Sequence, residues 1–459
     1  MFTVLRCSKV AAVLVTGLLI LEWARADEAA DARVTIHPLS FNVPALPPEG
    51  QLEMRFHFVA TRPMRDANLV FVHIQNAAGK MVGQADHAPT PATNAAVFQG
   101  EVKYTRYYTV PADFPDGDYT VYAGLYRADG RGGFINEPLT PASGVTGEAD
   151  RRYRVGTFRV DRRAAKPPEF TDRQPTLDLS GYKLVFEDKF DKMSIGVGEA
   201  DKTWKTDYAG YFGEAQFVQP DELVPGHPFT IQRETSDPGI TPGQTEGGVL
   251  RIEMRRDKAF VEKDRWRAHR KVDAELLKRG ETLDREWAGA LMRTTNETNE
   301  GFALQYGYFE ARLKFPDSPT VWSAFWLVSV DSPESKAAGR KGAVEIDVVE
   351  FYGAQRSEYQ PTVHVWLPGP HRGESFTVPT KAGAPVTGFH NYGVMVTKEA
   401  MTFYFDGVEV WKTPTPAEHD RPLNIILNHG AGFGPLDKLK TPNSMYVDRV
   451  RAYAPKEAT

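Results

Sequence analysis

Cysteine is nearly missing from this chain: Cys7 is the only one among 459 residues. It precedes a short apolar run, so a mature chain cut behind that run would hold no disulfide and no thiolate metal site. A basic excess is missing too. Lysine and arginine number 55 against 60 acidic residues, a formal charge of −5. Nothing in that balance attracts a phosphate backbone, which argues against nucleic acid as a partner. Long apolar stretches are also scarce. Val10–Leu21 is too short to span a bilayer comfortably, and no later run of spanning length follows. With Arg6 and Lys9 ahead of it and Ala24-Arg25-Ala26 behind, it reads as a secretory signal over residues 1–26, with a short uncleaved anchor as the alternative. Cleavage would remove Arg6, Lys9, Arg25 and Glu22, three cations and one anion, taking the charge from −5 to −7. The expected location is therefore secreted or periplasmic, with no membrane span after cleavage. Tandem repeats and low-complexity tracts are absent as well.

What is abundant is turn chemistry. The chain has 39 glycines and 33 prolines, and between them lie short alternating segments, so an all-β fold is expected. The length suits two or three domains. Residues 34–160 alternate in the strand manner, as in Leu52-Glu53-Met54-Arg55-Phe56-His57-Phe58 and Leu69-Val70-Phe71-Val72-His73-Ile74. They are expected to form a β-sandwich that either binds polysaccharide or serves as a spacer. Residues 162–177 carry Pro167, Pro168 and Pro175 and read as a linker. Residues 178–455 suit one larger sandwich of two packed sheets. Within them, residues 255–286 are dense in charge and read as one or two inserted helices.

The chemistry concentrates in Gly342-Ala343-Val344-Glu345-Ile346-Asp347-Val348-Val349-Glu350-Phe351-Tyr352-Gly353. Its β-branched residues make it a strand. Period-two alternation puts Glu345 and Asp347 on one face, with Ile346 and Val348 toward the core. Strict alternation would bury Glu350 on the core face, where an unpaired carboxylate is costly. A bulge near Val348-Val349 counts two residues as one and returns Glu350 to the side of Glu345 and Asp347. Three acids on one face repel one another, so folding gives no reason to gather them. Glycosidic hydrolysis does: one carboxylate attacks while a protonated partner serves the leaving oxygen, and a third charge separates their protonation states. A calcium site is the rival reading, although a flat strand supplies its oxygen ligands poorly.

Glu345-Ile346-Asp347-Val348-Val349-Glu350 resembles the bulged Glu-x-Asp-x-x-Glu motif of the family-16 glycoside hydrolases, the laminarinase- and agarase-like branch. Further segments resemble that family in order: Tyr306–Lys314, Trp322-Ser323-Ala324-Phe325-Trp326-Leu327, Phe389-His390-Asn391-Tyr392 with Phe403–Gly407, and Val447–Tyr453. The resemblance implies a concanavalin-like β-jelly roll preceded by the smaller sandwich. It implies retention of configuration, with Glu345 as nucleophile, Glu350 as acid/base and Asp347 as helper. It also implies endo-attack on a β-linked polysaccharide, here a β-1,3- or mixed-linkage glucan. Alternatives are depolymerisation of a bacterial exopolysaccharide or a galactan, transglycosylation, and polysaccharide binding without catalysis. No cofactor is required on this reading; a structural Ca²⁺ is allowed, and Asp448 resembles a position that helps some relatives hold one.

Trp322 and Trp326 lie on the face opposite Phe325, so both either pack in the core or line the cleft and stack on sugar, and the family resemblance favours the cleft. The family match makes Arg312 a sugar-binding donor near Glu345, with a plain surface ion pair as the alternative. His364 is expected on the next strand, bonding to Glu350 or to a sugar hydroxyl, and Glu214 at the cleft rim. Departures from the family pattern are Ser323 where Pro is usual, Thr320-Val321 where Gly is common, and Asn428-His429-Gly430-Ala431-Gly432 in place of Asn-Leu-Ala-Val-Gly.

Overall fold

The computed structural model describes residues 34–456 apart from 62–68, 88–99, 129–133, 168–170, 207–215, 218–228, 233–239, 257–286, 331–343, 367–370, 432–437 and a few isolated positions. The expected signal at 1–26, Glu214 and nearly all of the expected helical insert lie outside that set. Of the insert, only Arg255 and Arg256 are described, and they end a strand. The chain divides into two compact units, residues 1–167 and 168–459.

In the first unit, β1 (Gln51–Ala60), β2 (Leu69–Gln75), β3 (Gly100–Thr109), β4 (Gly117–Ala128) and β5 (Arg152–Val160) are the long strands. β1 pairs antiparallel with β3, and β4 lies between β2 and β5. Alternation turns Leu52, Met54, Phe56 and Phe58 inward. They share one buried cluster with Val70, Val72 and Ile74 of β2 and Val121, Ala123 and Leu125 of β4. Each of these side chains larger than alanine contributes about 1.5–3 kcal/mol on leaving water, and two sheets facing one core make a sandwich.

The second unit has its own pair of sheets. One contains β6 (Tyr182–Asp188), β7 (Val249–Arg256), β9 (Gly307–Lys314), β14 (His390–Val396), β15 (Ala400–Phe405), β16 (Val408–Pro414) and β18 (Asn443–Pro455). Its long strand β18 has β9 along one side and β7 followed by β6 along the other; β14, β15 and β16 continue outward from β9. The other sheet runs β8 (Trp287–Arg293), β17 (Leu423–Ala431), β10 (Val321–Ser329), β11 (Val344–Tyr352), β12 (Glu358–Val365) and β13 (Arg372–Ser375), all antiparallel. Tyr359 of β12 meets Tyr392 of β14 edge-on at 5.1 Å, and Phe351 of β11 stacks at 4.7 Å on Phe315, just beyond β9. These contacts join the inner faces of the two sheets, giving a β-jelly-roll sandwich. Asp406-Gly407 turns β15 into β16 with φ of 49° and 77°. A tight hairpin needs that left-handed pair, which Asp-Gly adopts readily.

Two of the departures noted in the sequence prove to be one physical unit. Ser323 and His429 are cross-strand partners on β10 and β17, both wholly buried. Ser323 Oγ lies 2.7 Å from His429 Nδ1, and His429 Nε2 lies 2.7 Å from Asn443 Oδ1. Burial lowers the His429 pKa to about 4, so the ring is neutral. Asn443 Oδ1 can only accept, which puts the ring proton on Nε2 and makes the Ser323 hydroxyl the donor to Nδ1. Ser323→Ala alone should cost about 1–3 kcal/mol by stranding Nδ1. Combined with His429→Leu it should cost less than the two single changes added together, a coupling that a denaturation double-mutant cycle reads directly.

Candidate active site

The site is built on β11, and its geometry follows from one irregularity. Asp347 faces Trp326 and Ile346 faces Leu327, yet the next pairs toward the C-terminus are Val349 with Phe325 and Glu350 with Ala324. On the other side, Asp347 pairs with Thr362 and Glu350 with Gln360. Val348 and Val349 thus stand opposite a single residue of each neighbour, a β-bulge where the alternation demanded one. Glu345, Asp347 and Glu350 consequently share a face, with Ile346 and Val349 wholly buried on the other side.

Asp347 and Glu350 are buried and Glu345 is partly exposed. Removal from water pushes all three carboxyl groups far above their ordinary range, each to about 8. For Glu345 and Glu350, the Asp347 charge adds to the rise and His364 offsets part of it.

Each glutamate is oriented by aromatic donors. Glu350 Oε1 accepts from Trp322 Nε1 at 3.0 Å and from the Tyr352 hydroxyl at 2.8 Å, while Thr362 Oγ1 approaches Oε2 at 3.5 Å. Glu345 Oε2 accepts from Trp366 Nε1 at 3.1 Å. Among the described residues, Glu345 Oε1 accepts no hydrogen bond. Tyr352 and Trp366 were not singled out from the sequence, although both were within reach of it: Tyr352 lies two residues beyond Glu350, and Trp366 two beyond His364.

The other expected site residues divide. Trp322 lies on the acid face, and its ring stacks near that of Tyr352 at 6.4 Å. Trp326 shares that face but is only 3% exposed, packed with Leu291, Ala324 and Ile426 and donating to Asn428 Oδ1 at 2.8 Å. It forms a floor beneath the acids instead of the open stacking surface expected. His364 is cross-strand from Glu345, but its Nε2 reaches Asp347 Oδ2 at 3.3 Å, not Glu350.

Arg312 is a correction. Its strand, β9, lies between β14 and β18 in the sheet across the core from the acids, where Arg312 donates to Asp448 at 3.0 Å. The Tyr306–Lys314 pattern specified a strand and its faces but not its sheet. The same contact answers the calcium expectation at Asp448. That carboxylate is wholly buried and accepts from Arg312 and Arg449, at 3.0 and 2.9 Å, and from the Glu246 backbone N–H at 2.9 Å. Two guanidinium groups occupy the space a cation ligand would need, so the residues there do not fit Ca²⁺. On the acid face, ligand atoms of Glu345, Asp347 and His364 lie within 4.8 Å of one another. The indole N–H on Glu345 and the donors on Glu350 serve carboxyl groups whose protons matter better than they serve a cation shell.

The model of the glycosyl hydrolases family 16 matches residues 261–429, a span that contains β10, β11 and β12. The endo-1,3-1,4-β-glycanase ExsH of Rhizobium meliloti (strain 1021) is 33% identical over 160 residues, covering 34% of this chain and 32% of that protein. EglC, an endo-1,3-1,4-β-glycanase of the same organism, is 34% identical over 161 residues, with the same coverage. A β-glucanase of Rhodothermus marinus is 26% identical over 292 residues, covering 59% of this chain and 85% of that protein. The chain thus spans about a third of the length of the first two relatives. The acid-bearing bulged strand of the jelly roll thus lies inside the segment, residues 261–429, that matches glycoside hydrolase family 16.

Proposed function

We propose that the protein is a secreted, retaining endo-glycosidase that cuts internal β-linkages of a polysaccharide, with a β-1,3- or mixed-linkage glucan as substrate. The observation that carries this reading is the bulge at Val348-Val349, which sets both glutamates beside Asp347 on one face. The glucan assignment draws on the relatives, which are named as β-glycanases and a β-glucanase.

On this reading, Glu345 attacks the anomeric carbon and forms a glycosyl ester while Glu350 gives its proton to the departing oxygen. Water, deprotonated by Glu350, then opens the ester, and the two inversions retain configuration. The hydrogen bonds support particular atoms for these roles. Two donors already engage Glu350 Oε1, so the transferred proton belongs on Oε2. Trp366 holds Glu345 Oε2, leaving Oε1 to attack. Burial keeps a proton on Glu350 near neutral pH, and attack begins once Glu345, the more exposed of the pair, has lost its own. Export fits a polymer too large to enter a cell.

Laminarin, lichenan, agarose, carrageenan and a bacterial exopolysaccharide, each incubated with wild type and with Glu345→Gln, provide the test. The expected result is oligosaccharides from a glucan with wild type and none with the variant. Products from agarose or carrageenan alone would move the substrate to galactans. Binding without release from any polymer would replace hydrolysis with a binding role.

A further inference from the structure

Beyond the acids and their indole and phenol donors lies a second buried histidine that the proposed mechanism does not use. We infer that His371 is a positioning residue for the acid row, acting through His364; this rests on the hydrolase reading above. His364 Nδ1 and His371 Nε2 are 2.9 Å apart, and both side chains are buried. One proton serves that line, so one ring donates and the other accepts. At its other nitrogen, His364 Nε2 stands 3.3 Å from Asp347 Oδ2, an oxygen that accepts no hydrogen bond among the described residues. The proton between the rings therefore decides what His364 offers Asp347. If His371 donates, His364 presents an N–H to a carboxylate. If His364 donates, it presents a lone pair, and Asp347 must supply the proton.

The surroundings are built to hold this line. The Trp366 ring stacks on His371 at 4.1 Å and 24°, and its indole N–H reaches Glu345. Glu345 and Asp347 are thereby tied together through Trp366, His371 and His364. Gly373 is cross-strand from His364, and a Cβ there would come within 3.1 Å of His364 Nδ1 and 3.5 Å of His371 Cε1. Glycine leaves the inter-ring line uncrowded. Titratable groups facing the pair include Asp347, Glu345 and Glu350 on β11. On β13, Arg372 pairs with Glu418 at 2.8 Å, and Glu374 accepts from Thr413 at 3.0 Å.

The test uses full-length protein with His371→Phe, which keeps a stacking ring and loses the hydrogen bond, and His371→Gln, whose side-chain amide reaches the same point. Two readouts are independent of each other. In ¹⁵N spectra of the histidine rings, His371→Phe should change the His364 tautomer pattern and shift the ¹³C titration of Asp347, while His371→Gln stays near wild type. In hydrolysis, His371→Phe should lower kcat by up to about a hundredfold with KM within about twofold and the basic limb of the pH profile displaced, and His371→Gln should recover most of the rate. Unchanged His364 and Asp347 spectra in His371→Phe would overturn the inference. So would a loss in kcat and KM together with an unmoved pH profile, the pattern of a purely structural residue. Should wild type cleave no polymer, the hydrolase reading fails, and the spectra still decide whether His371 sets the state of His364 and Asp347. Should His371→Phe not fold, a ¹⁵N–¹⁵N coupling across the 2.9 Å contact in wild type carries the same decision, and its absence counts against the inference.

Discussion

Glu345→Gln and Glu350→Gln should each lower hydrolysis of the natural polymer by at least about a thousandfold, and the two losses should differ in kind. In the proposed roles, removing the Glu345 carboxylate removes the nucleophile, so no leaving group rescues the reaction. Without the Glu350 proton only the departure of a poor leaving group suffers. A substrate carrying a good leaving group, such as a nitrophenolate, should still glycosylate Glu345 in Glu350→Gln. The ester should then accumulate, because nothing activates water, and a burst followed by a slow steady state records it. Azide, which needs no general base, should speed the second step in Glu350→Gln and have no effect in Glu345→Gln. The reverse assignment of roles would give the reverse pattern, so one set of progress curves separates the two glutamates. Both substitutions keep side-chain size, and amides can still accept from Trp322, Tyr352 and Trp366, so the fold should be unchanged.

Asp347→Asn should make the second unit more stable and the enzyme slower. Asp347 is 4% exposed and its carboxyl group is pushed up to about 8 by burial. A pKa raised above its unfolded value means that the folded state holds the proton more tightly. Stability from this source is fully present below pH ~4 and is lost as pH rises through about 8. At pH 9 the ionised, buried Asp347 works against folding, and asparagine removes that penalty. An increase of about 2 kcal/mol in stability, or about 4–8 °C in the unfolding midpoint of this unit, is expected at pH 9, with none at pH 4. Activity should fall by about a hundredfold, because an amide at this position cannot exchange a proton with His364 or the neighbouring glutamates. Thermal unfolding of wild type and Asp347→Asn across pH 4–9 checks the sign. A variant less stable than wild type at pH 9 would mean that the ionised carboxylate supports the fold. Gathering three acids on one face is thus a cost in stability accepted where the chemistry needs it.

Much of this site was legible before any coordinates, because a β-strand has a period of two and the cost of burying a carboxylate is large. Glu345, Asp347 and Glu350 cannot share a face without a bulge, and the motif itself located that bulge at Val348-Val349. The all-β class followed from alternating segments and turn residues, and the shared face of Trp322 and Trp326 from parity along β10. Parity is local, however, and says nothing about which strands become neighbours. It could not assign Arg312 to a sheet, and tertiary pairing placed it across the core against Asp448. It gave Trp326 a face but not its burial, which depends on Leu291 and Ile426 arriving from β8 and β17. Ser323 and His429 were separate oddities in the sequence, 106 residues apart, and only the pairing of β10 with β17 made them partners. His371 carried no signal of its own; β13 folding back along β12 brought it to His364. The sequence by itself determined the acids, their spacing and the strand that bears them, since these depend on covalent order and backbone geometry. The tertiary structure decided which other segments orient those acids: Tyr352 reaches Glu350 from the same strand, but Trp322, Thr362 and Trp366 arrive from elsewhere in the chain, and no local pattern encodes that adjacency.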